Sequence, residues 1–285
     1  MTAARLFLIA AAVAGCSHDA SKPASGSATA PATAPVTAPV TAPATATPGA
    51  KLDAAQAAAI VASPERSDHD RKRDAQRKPA ELIVFAGIAP GMHVADLGAG
   101  GGYTADVLAR AVGPTGSVIA QDSPSWGGSE GDPGLDKMWK ERRLGKPGVP
   151  NLSHVARGWD DPLPPDAKNL DVVTFVAAFH DVIVENHDET KLLAAVFAAL
   201  KPGGVFVLID NSAKPGTGKA ACKPLHRIDE QVVRDEAVAA GFRLAATSDF
   251  LRRADDTRDW IADPEQAEDA HRFQQDMFAL AFVRP

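Results

Sequence analysis

Short apolar runs rich in β-branched residues alternate with helical stretches along most of the chain, and this alternation strongly limits the possible folds. The apolar runs predict seven strands, at 93–97, 117–121, 152–156, 170–176, 205–210, 242–247 and 278–283. The stretches between them predict helices at 103–112, 132–144, 189–200, 229–240 and 264–275. Because right-handed crossovers cover both faces of parallel strands with helices, we expect an α/β fold with a doubly wound, mostly parallel seven-stranded sheet.

Charge and cysteine content exclude several classes of protein. The chain has 285 residues, and its net charge of −6 argues against a nucleic-acid binder, which would carry a basic excess. Two cysteines cannot build a disulfide-rich scaffold or a cysteine-based zinc site. Because no apolar run approaches the roughly 20 residues of a membrane span, a multispanning membrane protein is also excluded.

The first 50 residues have a different composition from the rest. Residues 1–15 have the pattern of a secretory signal, with Arg5 before the apolar stretch 6–14. The sequence Val13-Ala14-Gly15-Cys16 resembles the bacterial lipobox, which implies lipidation of Cys16, and Ser17 suggests forwarding to the outer membrane. We therefore expect an exported protein that faces the periplasm and touches the membrane through its N-terminal lipid. An ordinary cleaved signal is the alternative.

Residues 16–50 are dominated by Ala, Thr and Pro, and they predict a disordered tether, because they hold no large apolar groups to drive folding. A helical segment is expected at 51–81, ahead of a main domain at 82–285. Within this segment, Arg66/Asp70 and Asp74/Lys78 have helical spacing. The charged stretch 65–78 therefore predicts a solvated helix, with closure over a ligand as the alternative.

A glycine-rich turn follows the first predicted strand of the main domain. The sequence Gly98-Ala99-Gly100-Gly101-Gly102-Tyr103 joins strand to helix, and the free amides and dipole of a helix start can receive an anionic or polar group. In the dinucleotide pattern G-x-G-x-x-G, the third glycine would fall on Tyr103, so that fingerprint fails.

With Asp96 two residues before Gly98, this stretch resembles motif I of class I S-adenosylmethionine methyltransferases. Asp122 stands where that family binds the ribose, Asp160 or Asp161 where it contacts the adenine amine, and 200–204 matches its loop before the fifth strand. The resemblance implies a Rossmann-like methyltransferase fold and S-adenosyl-L-methionine as cofactor. The cofactor-binding residues that it implies are Asp96, Gly98, Gly100, Gly102, Tyr103, Asp122, Asp160 and Asp161.

A narrower resemblance exists to a subgroup of predicted exported bacterial methyltransferases. It depends on Arg73-Asp74-x-x-Arg77-Lys78-Pro79, Gly101-Gly102-Tyr103, Phe179-His180-Asp181 and Leu225-His226-Arg227-Ile228-Asp229. The subgroup usually closes its fifth strand with Asp-His, whereas this chain has Asp210-Asn211.

Ligands of open α/β sheets bind at the carboxyl ends of the strands, where His180 and Asp181 are expected. We predict His180 as the catalytic base, because an ordinary histidine pKa near 6.5 suits neutral pH, and Asp181 as its partner. The alternative is that His180 caps the strand through a backbone hydrogen bond. His226, Arg73 and Arg77 are predicted to contact substrate, and the alternative for His226 is a loop histidine that opens a helix. No metal is expected, since His187-Asp188 lies in an unconstrained polar loop.

The sequence therefore favours methyl transfer to a small-molecule acceptor, with acceptor specificity expected in the insert 126–149. Because export separates the domain from cytoplasmic cofactor, a second hypothesis is a methyltransferase-fold module that binds a nucleoside-like ligand without turnover. A nicotinamide-dependent oxidoreductase is the third hypothesis, and the failed third glycine weighs against it. The oligomeric state stays open.

Overall fold

The computed structural model describes residues 49–127, 134–263, 266–268 and 270–285, apart from the side chains of residues 136 and 142. The predicted signal, Cys16 and nearly all of the predicted tether lie outside the described residues. No helix in the described ranges has the length and apolar character needed to cross a membrane.

The sheet contains seven strands in the order β3-β2-β1-β4-β5-β7-β6. Their bounds are β1 His93–Leu97, β2 Ser117–Asp122, β3 Leu152–Ala156, β4 Leu170–Val176, β5 Leu200–Asn211, β6 Arg243–Ser248 and β7 Met277–Val283. Strands β1 to β5 pair in parallel, and β7 lies antiparallel between β5 and β6. The predicted doubly wound, mostly parallel sheet is confirmed.

Ten helices accompany the strands in the described parts of the chain. They are α1 Ala54–Val61, α2 Asp68–Arg71, α3 Asp74–Arg77, α4 Pro79–Phe85, α5 Tyr103–Val112, α6 Gly134–Arg142, α7 Phe179–Val184, α8 Glu189–Ala199, α9 Cys222–Leu225 and α10 Glu230–Ala239. Asp53 begins α1 with a capping box, and Pro79 opens α4, where its missing N–H costs nothing.

Side-chain alternation along the strands creates two apolar cores. Ala95 and Leu97 of β1 belong to the core that also contains residues of α7, α8 and α10. Val94, one position away, belongs to the opposite core, which includes residues of α1, α4 and α5. Because successive strand residues point to opposite faces, Asp96 lies on the same face as Val94.

The charged stretch 65–78 does not form the solvated helix that its spacing predicts. It forms the two short helices α2 and α3, and Arg66 and Asp70 are buried. Arg66 pairs with Asp74 rather than with Asp70, through contacts of 2.7 and 2.8 Å. The burial of Arg66 and Asp70 and their ion pairs determine the local conformation. The i,i+4 pairs of a surface helix do not.

The predicted helix at 264–275 is also absent from the described residues of that range, which form turns instead. Ala267 is a buried apolar residue of this range. Phe273 has a φ of +61°, and this backbone conformation interrupts a helix. Conversely, α7 was not predicted, because its six residues are too short to show a helical period.

Candidate active site

The topological switch point of the sheet lies at β1. From β1 the chain continues to β2 and β3 on one side, while β4 and β5 lie on the other. Crossover connections on the two sides leave a crevice beyond the carboxyl ends of β1 and β4, where ligands of this architecture bind. The glycine turn between β1 and α5 faces this crevice.

Positive φ angles at Gly98, Gly100 and Gly102, of +58°, +53° and +70°, shape the turn. A side chain at Gly98 would also bring its Cβ within 2.6 Å of the Ala178 Cβ. A Cβ at Gly100 or Gly101 would meet no atom within 4 Å. The middle of the turn therefore faces open space, as a surface that receives a ligand must.

The Asp122 carboxylate, at the end of β2, is buried and accepts three hydrogen bonds. The Gly100 amide donates to its Oδ1 at 2.6 Å, and the Trp139 indole N–H donates to its Oδ2 at 2.9 Å. His154 Nε2 also lies 2.9 Å from Oδ2. The amide and the carboxylate that the sequence assigns to one ligand thus bond to each other.

Helix α6 covers this part of the turn. The Trp139 ring would lie 2.6 Å from a Cβ at Gly102 and stacks on His154 with 4.4 Å between ring centroids. Beyond the helix, Arg143 donates to the Gly101 carbonyl at 2.8 Å and forms a buried ion pair with Asp70 at 2.5 Å. The insert predicted to set acceptor specificity therefore also closes the glycine turn.

Asp96 carries an unsatisfied oxygen at the centre of the site. Its Oδ1 accepts a hydrogen bond from Thr174 at 2.6 Å. The Ala105 backbone amide interacts with the carboxyl group, but the buried Oδ2 makes no hydrogen bond of normal geometry to the described residues. Burial raises the pKa of Asp96 to about 7, and the nearby charge of Asp122 adds to the rise. Asp96 is therefore poised to accept a bond from a ligand.

Tyr103 is surrounded by arginines. The guanidinium carbons of Arg66, Arg73 and Arg77 lie 5.6, 5.2 and 5.2 Å from its ring centroid, and its hydroxyl donates to Asp74. With three guanidinium groups against its ring, Tyr103 holds the charged segment against α5. A contact between Tyr103 and a cofactor stays a prediction.

A cavity of about 50 Å³ lies beside the start of α5. Its wall combines the apolar residues Val176, Ile209 and Met277 with the guanidinium-bearing residues Arg77 and Arg253. Burial and the charge of Arg73 lower the pKa of Arg77 to about 10. Arg77, predicted from sequence to contact substrate, thus lines a small apolar cavity.

The two acids predicted near the adenine form ion pairs with other side chains at the surface. Asp160 contacts Lys191 at 3.1 Å and His187 at 3.4 Å, and hydrogen bonding with Lys191 lowers its pKa. Asp161 pairs with Arg157 and is largely exposed. Both carboxylates already have cationic partners, so a role in cofactor binding stays a prediction.

The predicted catalytic pair belongs to a cluster on the opposite face of the sheet from Asp96. Asp210 Oδ1 lies 2.8 Å from His180 Nδ1, and its Oδ2 accepts a bond from the His180 amide, also at 2.8 Å. Asp181 Oδ1 lies 3.3 Å from His180 Nε2 and 3.5 Å from His226 Nδ1. The structure therefore brings together three residues that the sequence singled out.

The charge state of His180 differs from the sequence expectation. Burial alone would lower its pKa, but the Asp210 charge and hydrogen bond, together with Asp181, raise it to about 9. The two carboxylates therefore favour the protonated imidazole, with Asp210 facing Nδ1 and Asp181 facing Nε2. Its assignment as a general base stays a prediction.

Several residues of the site were not found from sequence. They are Asp70, Trp139, Arg143, His154 and Thr174. Thr174 points to the same face as Asp96, and strand alternation was the one signal available for it. The others come from α2, β3 and the insert, whose spacing gives no sign of contact with the turn.

Comparisons with known proteins support the fold at three levels. The family model of protein-L-isoaspartate (D-aspartate) O-methyltransferase matches residues 58–124, which include the glycine turn and Asp122. A ubiquinone/menaquinone biosynthesis C-methyltransferase from Ectopseudomonas mendocina is 31% identical over 134 residues. That match spans 47% of each chain, so this chain spans about half the length of the curated relative.

Solved structures agree over more of the chain. A SAM-dependent methyltransferase from Aquifex aeolicus superposes with a TM-score of 0.53 at 18% identity, covering 82% of this chain and all of that one. The [4+2]-cyclase SpnF superposes with a TM-score of 0.52 at 13% identity, covering 79% of this chain and 86% of that one. The chain has the fold of class I S-adenosylmethionine-dependent methyltransferases, and the comparisons support S-adenosylmethionine as its cofactor.

The residues present fit that cofactor in two respects. The open space before Gly100 and Gly101 admits a ligand against the backbone, and the unpartnered Oδ2 of Asp96 can accept a polar hydrogen. Asp122 still has acceptor capacity, since a carboxylate offers about four lone-pair sites. Because Trp139 covers Asp122, full access requires α6 to move.

Proposed function

We propose that the folded part of this chain transfers a methyl group from S-adenosylmethionine to a small acceptor. The observation that carries the proposal is Asp96 with its free buried oxygen beside an open glycine turn, at the switch point of a methyltransferase-type sheet. The local matches to an O-methyltransferase family and to a C-methyltransferase support it.

Asp96, Gly100 and Asp122 are the residues that would hold the cofactor. When bound, S-adenosylmethionine supplies an electrophilic methyl group whose sulfur is already a good leaving group. The protein therefore has mainly to align the acceptor and exclude water, and orientation of this kind contributes roughly 7–11 kcal/mol to catalysis. Helix α6, which covers the turn with Trp139, is the element suited to excluding water.

We place the acceptor beside the cavity at the start of α5. This cavity lies on the same face as Asp96, since Ile209 and Val94 share one apolar core. Its combination of apolar wall with Arg77 and Arg253 suits a small, largely apolar acceptor that carries an anionic group. The sequence-based proposal of His180 and Asp181 as catalytic pair, with His226 as a substrate contact, requires an acceptor on the other face of the sheet. Arg73 stays a proposed substrate contact.

Calorimetric titration of the purified protein with S-adenosylmethionine, its demethylated product and NAD tests this proposal. We expect both sulfur nucleosides to bind and NAD not to bind. Asp122→Asn should weaken nucleoside binding at least tenfold, whereas Asp235→Asn, on the exposed side of α10, should leave it unchanged. Binding of NAD without either sulfur nucleoside would contradict the proposal.

A binding module without turnover is the second candidate. The position of His180 favours it, because the proposed base lies on the face of the sheet away from Asp96. The match to SpnF, a cyclase by name, illustrates that this fold does not fix one reaction. Tight nucleoside binding with no methyl transfer to a panel of small anionic acceptors would favour this candidate.

We also propose that the chain is exported and anchored by lipid on Cys16, facing the periplasm. Support comes from Arg5, the apolar stretch 6–14 and the small residues directly before Cys16. Cys16→Ser should move the protein from the membrane fraction to the soluble periplasmic fraction, and detergent partitioning would measure the change. Membrane association that persists in this variant would contradict lipid anchoring.

A further inference from the structure

The cluster formed by His180, Asp181 and His226 has a composition that the methyl-transfer proposal does not explain. One ligand-type atom from each residue lies within 4.8 Å of the other two. Two imidazoles and one carboxylate form the donor set that first-row transition metals accept, with positions left for water or a ligand. The cluster lies on the face of the sheet away from Asp96 and Asp122, so it is separate from the cofactor residues.

The distances match those of a preformed metal site. Asp181 Oδ1 lies 3.3 Å from His180 Nε2 and 3.5 Å from His226 Nδ1. Ligand atoms about 2.0–2.1 Å from a tetrahedral ion are separated by about 3.4 Å. Both distances from Asp181 therefore fit ligands of one shared ion, and all three ligand atoms lie within 4.8 Å of one another.

A buried carboxylate fixes the orientation of the His180 imidazole, and a side-chain amide holds the backbone of His226. Asp210 binds His180 Nδ1 at 2.8 Å, which leaves Nε2 directed to the cluster. A carboxylate behind a histidine is the usual outer support of a metal-bound imidazole. Asn211 donates to the His226 carbonyl at 3.0 Å, and His226 has a φ of +49°, an uncommon conformation for a non-glycine residue.

Access and charge also suit a cation. The His180 side chain is 4% exposed, whereas those of Asp181 and His226 are each 18% exposed, so solvent reaches the open side of the cluster. Asp210 and Asp181 place carboxylates against His180 Nδ1 and Nε2, which suits a divalent cation, and a metal at Nε2 would replace the proton there. Cys222 is buried nearby, and burial raises its thiol pKa to about 12, so it offers no thiolate ligand at neutral pH.

We propose that His180 Nε2, Asp181 Oδ1 and His226 Nδ1 bind one divalent transition-metal ion, of the Zn²⁺ or Fe²⁺ class. This proposal departs from the sequence expectation that no metal binds. From sequence, His187 and Asp188 were the residues weighed as further metal ligands. In the structure, His187 lies beside Asp160 and Glu185. The missing third donor was His226, distant in sequence and brought in by α9 and the turn after it.

The test uses purified full-length protein treated with chelator and then titrated with Zn²⁺ by calorimetry and Co²⁺ by absorbance. We expect one equivalent of each metal, with visible Co²⁺ bands of an ordered site. His226→Gln and Asp181→Asn, at partly exposed positions, should each weaken binding by 10–100-fold. His187→Gln is the matched control, because it removes an exposed histidine beside carboxylates, and it should leave binding unchanged.

Circular dichroism and S-adenosylmethionine titration of the same variants separate a lost metal site from a lost fold. Intact helix signal and nucleoside binding in a variant that no longer binds Co²⁺ support the proposal. Wild-type protein with no stoichiometric metal, or with binding that His226→Gln leaves unchanged, overturns it. Failure of nucleoside binding alone contradicts the proposed methyl transfer and leaves the metal site standing.

Discussion

At the scale of single residues, Asp96 combines a cost to stability with a proposed role in binding. The pKa of its buried carboxyl is about 7, compared with 3.8 for an ordinary aspartate. Between these values the folded state binds a proton that the unfolded state has lost, so the free energy of unfolding falls as pH rises from about 4 to 7. The full difference amounts to about 4 kcal/mol. A charge held at such a cost is typical of a binding site.

Asp96→Asn should remove this pH dependence. We expect a protein that matches the wild type near pH 4 and is more stable at pH 8, by about 2–4 kcal/mol, because no buried charge forms. Urea unfolding at a series of pH values measures the change, with Asp235→Asn as the control that keeps the wild-type slope. The same variant should bind S-adenosylmethionine more weakly, and parallel pH profiles in variant and wild type would contradict the assignment.

The second prediction at this scale concerns Trp139. Trp139→Phe keeps an aromatic ring over Gly102 but removes the indole donor to Asp122, which weakens the closed arrangement. A hydrogen bond to a charged group contributes about 1.5–3 kcal/mol, so nucleoside affinity should rise roughly tenfold while the unfolding temperature falls. Calorimetry and thermal unfolding measure both effects.

Trp126→Phe is the matched control for Trp139→Phe, since it removes an indole hydrogen bond of 2.8 Å to Glu185. It should lower stability without raising affinity. If both tryptophan variants raise affinity equally, general loosening rather than release of Asp122 is the cause.

At the scale of elements, α6 is held over the turn by its own Trp139 and by Arg143, the residue that follows it. Arg143 pairs with Asp70 inside the protein, whereas the Lys137–Glu141 pair of α6 lies on the surface. Loss of one partner from a buried pair strands the other charge and typically costs 3–5 kcal/mol, while an exposed pair contributes about 0–1 kcal/mol.

Arg143→Ala should therefore lower the free energy of unfolding by about 3–5 kcal/mol, and Lys137→Ala by less than about 1 kcal/mol. Denaturant titration measures both. The double variant Arg143→Ala with Asp70→Asn should recover part of the loss, because no buried charge is then left unpaired. Full additivity of the two single changes would show that the pair is not coupled.

The elements themselves were predictable where their pattern is local. Strand β4 is a mainly apolar run with three valines, and α5 follows a glycine turn, so both bounds agree with prediction. The segment of α2 and α3 was predicted wrongly, because its ion pairs join Arg66 to Asp74 and Asp70 to Arg143. Contacts between distant residues leave no period in the sequence, and charge spacing alone favoured a helix.

At the scale of the whole molecule, the boundary of the folded unit lies near Leu52. Leu52 is buried and donates a backbone hydrogen bond to Ile88 at 2.8 Å, and α1 packs against α4 and α5. A chain that begins at Lys51 should unfold at the wild-type temperature. A chain that begins at Ser63 should unfold roughly 5–10 °C lower, since a few kcal/mol of packing is lost.

Differential scanning calorimetry of the two shortened chains measures this difference. Equal midpoints for both would mean that α1 contributes nothing to the core. A lower midpoint for the chain that begins at Lys51 would instead show that residues of the predicted tether stabilise the domain.

The overall architecture was predictable because the strand pattern and one glycine turn limit the possible topologies. The site was predictable only in part, since Asp96, Asp122 and His180 mark the strand ends where ligands bind. The packing of Trp139 on the glycine turn and the contact between His226 and His180 depend on how the insert and α9 pack against the sheet. Tertiary packing decides such contacts, and no spacing in the sequence encodes them.

The antiparallel strand β7 lies between β5 and β6, and in the described sheet β6 pairs with β7 alone. While the chain is being synthesised, β6 therefore stays without a hydrogen-bonded neighbour until Met277 to Val283 have left the ribosome. Completion of this edge of the sheet therefore comes late in synthesis, because the backbone groups of β6 wait for β7.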